Sequence, residues 1–405
     1  MPLRGESTFT MVPGTVTGYE LVFSTEIPTR TRTLMDPDIP YLLLTPGPLT
    51  TSRTVKEAML ADYCTWDDDY NSLITRTRNR LVDLSGGSRK EYTAVLMQGS
   101  GTFAVEATIG SVVPPQGKLL VVDNGAYGAR ITKIADYLKI AAHVIRQSEI
   151  EAADLNRMEE VLNTDPAITH IAVVHCETTT GMLNPAKEVG DLARRYGKTY
   201  ILDAMSSFGG IPMSIPDIGA HYLVSSANKC IQGVPGFGFI ICHRPTFEPT
   251  KGFARSLSLD IYDQWYEMEH KGGKWRFTSP THVVRAFIQA MDELEAEGGI
   301  PARHARYREN QRLLSEGMRR IGFKPLLDDA IQSPFITAFH YPKDPGFAFL
   351  PFYEAMKKRR FVLYPGKVSH ADTFRVGTIG QVFPEDIELL LKTIEDVVAE
   401  TGWEL

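Results

Sequence analysis

From about residue 55 onward, short apolar runs of strand length alternate with stretches of helix length, and turn residues separate the two kinds. That alternation permits few architectures. A strand that is apolar throughout has to be buried on both faces, so the intervening helices must cover a mostly parallel sheet from both sides. Tyr92–Gln98 reads as such a strand and Thr102–Val112 as the helix that follows it. Lys118–Asp123, His170–His175, Thr199–Ala204, Tyr222–Ser225 and Gly238–Cys242 read as further strands, with an amphipathic helix over Pro185–Tyr196. Near Pro280 the texture changes to long helices, about 282–297 and 301–321, then a strand at Phe335–Tyr341, a helix near 350–359 and a strand at Thr373–Val376. In the last helix Ile387, Leu390, Leu391, Ile394, Val397 and Val398 recur at helical spacing, with Pro384 at the start and Gly402 past the end. The expected organisation is an N-terminal extension over 1–40, a large α/β domain over 41–280 and a smaller C-terminal α/β domain over 281–405.

Bulk properties narrow the partners. A net charge of −6 offers no basic field to a nucleic acid or an anionic membrane surface. No apolar run reaches the length of a signal-peptide core or a membrane span, so a cytoplasmic location is expected. Cys64, Cys176, Cys230 and Cys242 show neither CxxC spacing nor histidine partners at zinc-site distance, so no metal centre or disulfide framework is expected. A small-molecule substrate is the default partner.

Three segments carry candidate chemistry. Gln98-Gly-Ser-Gly-Thr102 lies between a strand and a helix, where glycines let the backbone approach an anion and the first helical turn presents free N–H groups. Alone, such a segment is as readily a tight turn. It also resembles part of a dinucleotide fingerprint, with Ala104 in place of the third glycine and Asp123 ending a strand about 20 residues on. That reading, a nicotinamide-dependent oxidoreductase, leaves the other two segments without a role. Asp203 stands at the carboxyl end of an apolar strand, where ligands bind in open α/β sheets, although an aspartate there can equally cap a turn. Lys229 follows the next strand and precedes the turn Gly233–Gly238; by itself it is an ordinary surface charge. Together the three meet the needs of pyridoxal 5′-phosphate: a phosphate cradle at Ser100–Thr102, a lysine amine for the aldehyde, and a carboxylate that keeps the pyridine nitrogen protonated. A lysine with a free pKa of about 10.4 also needs a cationic, partly desolvated pocket to give up its proton.

In Leu44-Thr-Pro-Gly-Pro-Leu49, Trp66-Asp-Asp-Asp-Tyr-Asn71, Gln98–Thr102, His175-Cys-Glu-Thr-Thr-Thr-Gly181, Asp203-Ala-Met-Ser-Ser207, Ala227-Asn-Lys-Cys230 and Phe374-Arg-Val-Gly377 the chain resembles the class V aminotransferases. The resemblance implies the aspartate-aminotransferase fold, fold type I of the pyridoxal-phosphate enzymes, with a mostly parallel seven-stranded sheet in the large domain. It implies that Ser100, Gly101 and Thr102 hold the cofactor phosphate, that Asp203 pairs with the ring nitrogen, and that Lys229 carries the aldehyde. Tyr127 is implied to stack on the ring, Met205 to pack on its other face, and Thr179 to reach its phenolic oxygen. The resemblance places Trp275 with the cofactor and implies an obligate dimer in which Thr278 crosses the interface to the neighbour's phosphate. Arg375 is implied to clamp the acid of the substrate, with Gly47 also at the substrate. Trp66–Asn71 and Asn228-Lys-Cys230 point within the class to the branch that passes an amino group from an aminophosphonate to pyruvate. An alanine:glyoxylate or serine:pyruvate type transaminase is the alternative. Cysteine desulfuration would need a cysteine well beyond the lysine, and none follows Cys242.

Overall fold

The structure, a computed structural model, describes residues 39–366, 368 and 371–405; the expected extension lies, as far as residue 38, outside the described residues. The strands in chain order are β1 (Leu42–Leu43), β2 (Tyr92–Gln98), β3 (Lys118–Asp123), β4 (Ala141–Arg146), β5 (Ile168–Val174), β6 (Cys176–Glu177), β7 (Met182–Leu183), β8 (Thr199–Asp203), β9 (Tyr222–Ser226) and β10 (Phe237–His243). Towards the C-terminus follow β11 (Ile336–His340), β12 (Phe361–Val362), β13 (Tyr364–Pro365) and β14 (Thr373–Gly377).

Seven of them form one sheet in the order β2-β10-β9-β8-β5-β3-β4. Only β10 runs against the rest, antiparallel to both β2 and β9. The double-sided burial expected of such strands is visible in their alternation. Ala94 and Leu96 of β2 join Leu120, Val122, Ile171 and Val173 in the core on one face, whereas Val95 and Met97 join Leu119, Val121, Ala172 and Val174 on the other. Each fully buried aliphatic side chain contributes about 1.5–3 kcal/mol, so the register of every central strand is fixed from both sides.

β4 is absent from the strands read in the sequence. It is an edge strand on which only Ile145 is fully covered, and His143 and Arg146 break its apolar character. The other predicted strands recur within two residues of their expected ends.

The C-terminal region is smaller. β11, β14 and β13 form an antiparallel sheet over a core of Phe323, Phe339, Phe352 and Phe374, closed by the helix Pro384–Thr401. That helix ends where expected, because Gly402 takes the left-handed conformation (φ 70°) that terminates it.

Candidate active site

Six sheet strands share one direction, so their carboxyl ends lie along a single edge. β2 delivers Ser100–Thr102 there, β3 the segment Asn124–Tyr127, β5 the segment His175–Thr179, β8 Asp203 and β9 the lysine loop. Reversed β10 begins at the same edge: Phe237 pairs with Gln98, Gly238 with Ser226, and Gly99 N–H donates to Gly236 O (2.9 Å). The lysine loop and the glycine-rich turn are therefore neighbours by sheet register.

A cleft of about 190 Å³ opens between them, walled by Ser100, Gly101, Thr102, Tyr127, Asp203, Met205 and Lys229 among others. Seven of the sequence-derived residues thus meet in one cavity. Asp203 is buried, and its Oδ1 accepts the Met205 N–H (2.9 Å). Burial lifts its carboxyl to about 6; the Met205 N–H and the charges of Arg130 and Lys229 oppose that rise. Lys229 Nζ donates to Pro46 O (2.7 Å), and burial lowers its pKa, which favours the free amine. Gly47 faces this amine closely enough that a Cβ would stand 2.5 Å from Nζ, so Gly47 makes room for the lysine.

The loop after Lys229 is tied to the C-terminal region. Arg303 Nη1 (2.7 Å) and Tyr307 Oη (3.3 Å) donate to Cys230 O, while Gln232 Nε2 donates to Tyr307 Oη (2.6 Å) and Gly380 O (2.9 Å).

Arg375 projects from β14 and is almost wholly buried. Nε donates to Pro365 O (3.0 Å), Nη1 to Thr178 O (2.8 Å), and the guanidinium lies 4.9 Å from the Tyr364 ring centre. Among the described residues no carboxylate pairs with it. It adjoins the cleft through Thr178, whose hydroxyl reaches Tyr127 Oη (3.3 Å). A buried guanidinium held only by carbonyl oxygens keeps its full charge without a counter-ion among the described residues, an arrangement that is costly by itself.

Four residues weighed in the sequence are not on the cleft wall. Thr179 turns its hydroxyl to Glu177 Oε2 (3.5 Å), so of the two threonines Thr178 is the one that reaches a cleft residue. Trp275 belongs to the core of its own subunit, edge-on to Phe237 at 6.4 Å, and does not line the cleft. Thr278 is exposed, in the segment before the helix Thr281–Ala296, and is also off the cleft wall of its own subunit. Asp123, the acid of the dinucleotide reading, faces Arg146 at 4.0 Å rather than the cleft.

Two residues that the sequence reading passed over complete the surroundings. Glu177 is fully buried and accepts from Gly128 N–H (2.8 Å) and Tyr127 N–H (3.3 Å), so its carboxylate caps the helix Ala126–Tyr137, whose own N-cap is Gly125. Burial lifts its pKa to about 7 against those two N–H bonds. Arg130, one turn after Tyr127, lines the cleft and holds its guanidinium 4.8 Å from the Tyr127 ring centre. The i, i+3 spacing of Tyr127 and Arg130 was the available signal.

The buried Asp203 keeps Oδ2 free of hydrogen bonds among the described residues, opposite a lysine amine and an uncapped helix start. That donor and acceptor set fits a protonated pyridine, an aldehyde and a phosphate. Fold and site together define a pyridoxal-phosphate enzyme of the aspartate-aminotransferase type. The family model described as aminotransferase class-V matches residues 65–343, and the chain belongs to that family. It is 58% identical over 366 residues to the 2-aminoethylphosphonate–pyruvate transaminase of Syntrophobacter fumaroxidans, covering 90% of this chain and 98% of the relative. The enzyme of the same description from Vibrio vulnificus is 60% identical over 356 residues, covering 88% and 97%. The crystal structure of pyridoxamine-pyruvate aminotransferase from Mesorhizobium loti superposes with a TM-score of 0.83 at 23% identity, covering 90% of this chain and 94% of that one, and shares the fold.

Proposed function

We propose that this aminotransferase moves the amino group of 2-aminoethylphosphonate to pyruvate, giving phosphonoacetaldehyde and alanine in phosphonate metabolism. The observation that carries the substrate assignment is the identity of 58% and 60% to transaminases of that description over nearly their whole lengths. Bound pyridoxal phosphate supplies an aldehyde that takes up the amine and a ring that draws electron density from the amine-bearing carbon.

The remaining work falls to the protein. Ser100, Gly101 and Thr102 would hold the cofactor phosphate, with Tyr127 and Met205 on the two faces of the ring. Asp203 Oδ2 would accept the ring N–H and recover the charge that burial makes costly. Lys229 Nζ, whose pKa burial lowers, takes a proton from the amine-bearing carbon of the donor and later delivers one to C2 of the product alanine. Arg375, fixed by Thr178 O and Pro365 O, would clamp the phosphonate in one half-reaction and the carboxylate in the other through its unclaimed N–H groups. We also infer a cytoplasmic homodimer in which Thr278 serves the neighbouring site, and a division into large and small domains near residue 280.

The test is a visible spectrum of the purified protein before and after 2-aminoethylphosphonate, then after pyruvate. The cofactor band should bleach with the first and return with the second, and Lys229→Ala should abolish both the band and turnover. A band that ignores the phosphonate and bleaches with another amine would overturn the substrate and leave the cofactor site standing.

A further inference from the structure

We infer that Arg130 is the counter-ion of the cofactor phosphate, an inference that rests on the proposed function and adds a residue to it. Its placement is the first argument. Arg130 Nη1 donates to Thr102 Oγ1 (3.1 Å), inside the Ser100–Thr102 cradle, and the guanidinium lies on the Tyr127 ring (4.8 Å). Thr102 spends a lone pair on this bond, which leaves its own O–H free to be donated into the cleft.

Charge is the second argument. A phosphate monoester carries about −1.5 to −2 at neutral pH. Ser100, Thr102 and the first N–H groups of the helix Gly101–Val112 bring no formal charge, and Asp203 on the same wall is an acid. Besides Lys229, whose charge burial disfavours, Arg130 is, among the described residues, the one basic side chain on the cleft wall. Among the described residues it has no carboxylate partner, and a single one of its five N–H donors is claimed. The third argument is rigidity. Glu177 anchors the start of the helix that carries Tyr127 and Arg130, so the guanidinium is set in place before a ligand arrives.

The experiment compares pyridoxal phosphate with pyridoxal, which has the same ring and aldehyde without the phosphate. Wild type, Arg130→Gln and Arg130→Lys are resolved to apoprotein and titrated with each compound, following the visible band. Loss of a charge-assisted contact should weaken pyridoxal phosphate at least about tenfold in Arg130→Gln, leave pyridoxal unchanged, and be partly restored in Arg130→Lys. Inorganic phosphate should strengthen pyridoxal binding to wild type and have no effect on Arg130→Gln. Equal weakening of both compounds would reduce Arg130 to a structural residue and overturn the inference. So would unchanged cofactor binding with a raised KM for 2-aminoethylphosphonate, which would assign Arg130 to the substrate. If wild type itself binds neither compound, the functional reading fails, and that outcome is separate from any difference among the variants.

Discussion

Glu177, in β6, and Asp203, at the end of β8, are buried carboxyls, and burial raises the pKa of both. A carboxyl raised from 4.5 to about 7 holds its proton more tightly folded than unfolded, so Glu177 lowers stability progressively as pH rises through that window. Below the unfolded value the penalty is absent, and above the folded value it is complete, on the order of 3 kcal/mol. Thermal unfolding of the apoprotein between pH 4.5 and 7.5 should therefore fall less steeply in Glu177→Gln than in wild type. Asp203 acts in the same sense in both proteins, so the difference isolates Glu177; parallel curves would show that its carboxyl is ionised throughout. At this scale the sequence points to Asp203 as an acid ending an apolar strand, and to Lys229 only through its company with Asp203 and the Ser100–Thr102 turn. Arg130 shows only its i, i+3 spacing to Tyr127, and Glu177 nothing comparable, because the partners that give them significance, Thr102 and Gly128, are distant in sequence. Trp275 sits between Lys274 and Arg276 in the sequence, yet its ring packs edge-on to Phe237 in the core, which polar flanks do not announce.

Among the elements, the helix Gly299–Ile321 carries much of the burden. Arg303 is 2% exposed and joins Glu297 to the carbonyl of Cys230, one residue beyond the lysine. Replacing it by methionine leaves that carbonyl with only Tyr307 and half-strips Glu297, which Arg306 still neutralises at 2.7 Å. The expected loss is about 3 kcal/mol, the lower end for breaking a buried pair. Urea denaturation would measure it, and a loss below about 1 kcal/mol would mean the pair behaves as a surface one. The strands themselves were legible as apolar runs of the right length. The direction of β10 was not, because a buried run reads alike in either sense; the helix-free connection Ala227–Gly236 was the one clue to a reversal.

For the whole molecule, Thr278 and its neighbour Phe277, 52% exposed, are accessible in the single chain, as the proposed dimer requires. Lys229→Ala lacks the reacting amine, and Thr278→Trp would obstruct only the neighbouring site. Each alone should be inactive, yet mixing them should restore activity at about a quarter of the sites by random reassortment of dimers. No recovery after verified exchange would assign Thr278 to its own subunit. Such an arrangement is invisible to strand and helix patterns, which describe one chain at a time.

The amide of Gln232 ties the lysine loop to Gly380, three residues past the strand that carries Arg375. Any displacement of that strand to fit a longer or shorter acid would therefore pull on the reacting amine. In evolutionary terms, the proposed roles of Arg375 and Lys229 tie acid recognition and proton transfer together in this scaffold. Lineages that change substrate should do so by exchanging side chains around the cleft mouth, with the backbone between Gln232 and Gly380 left where it is.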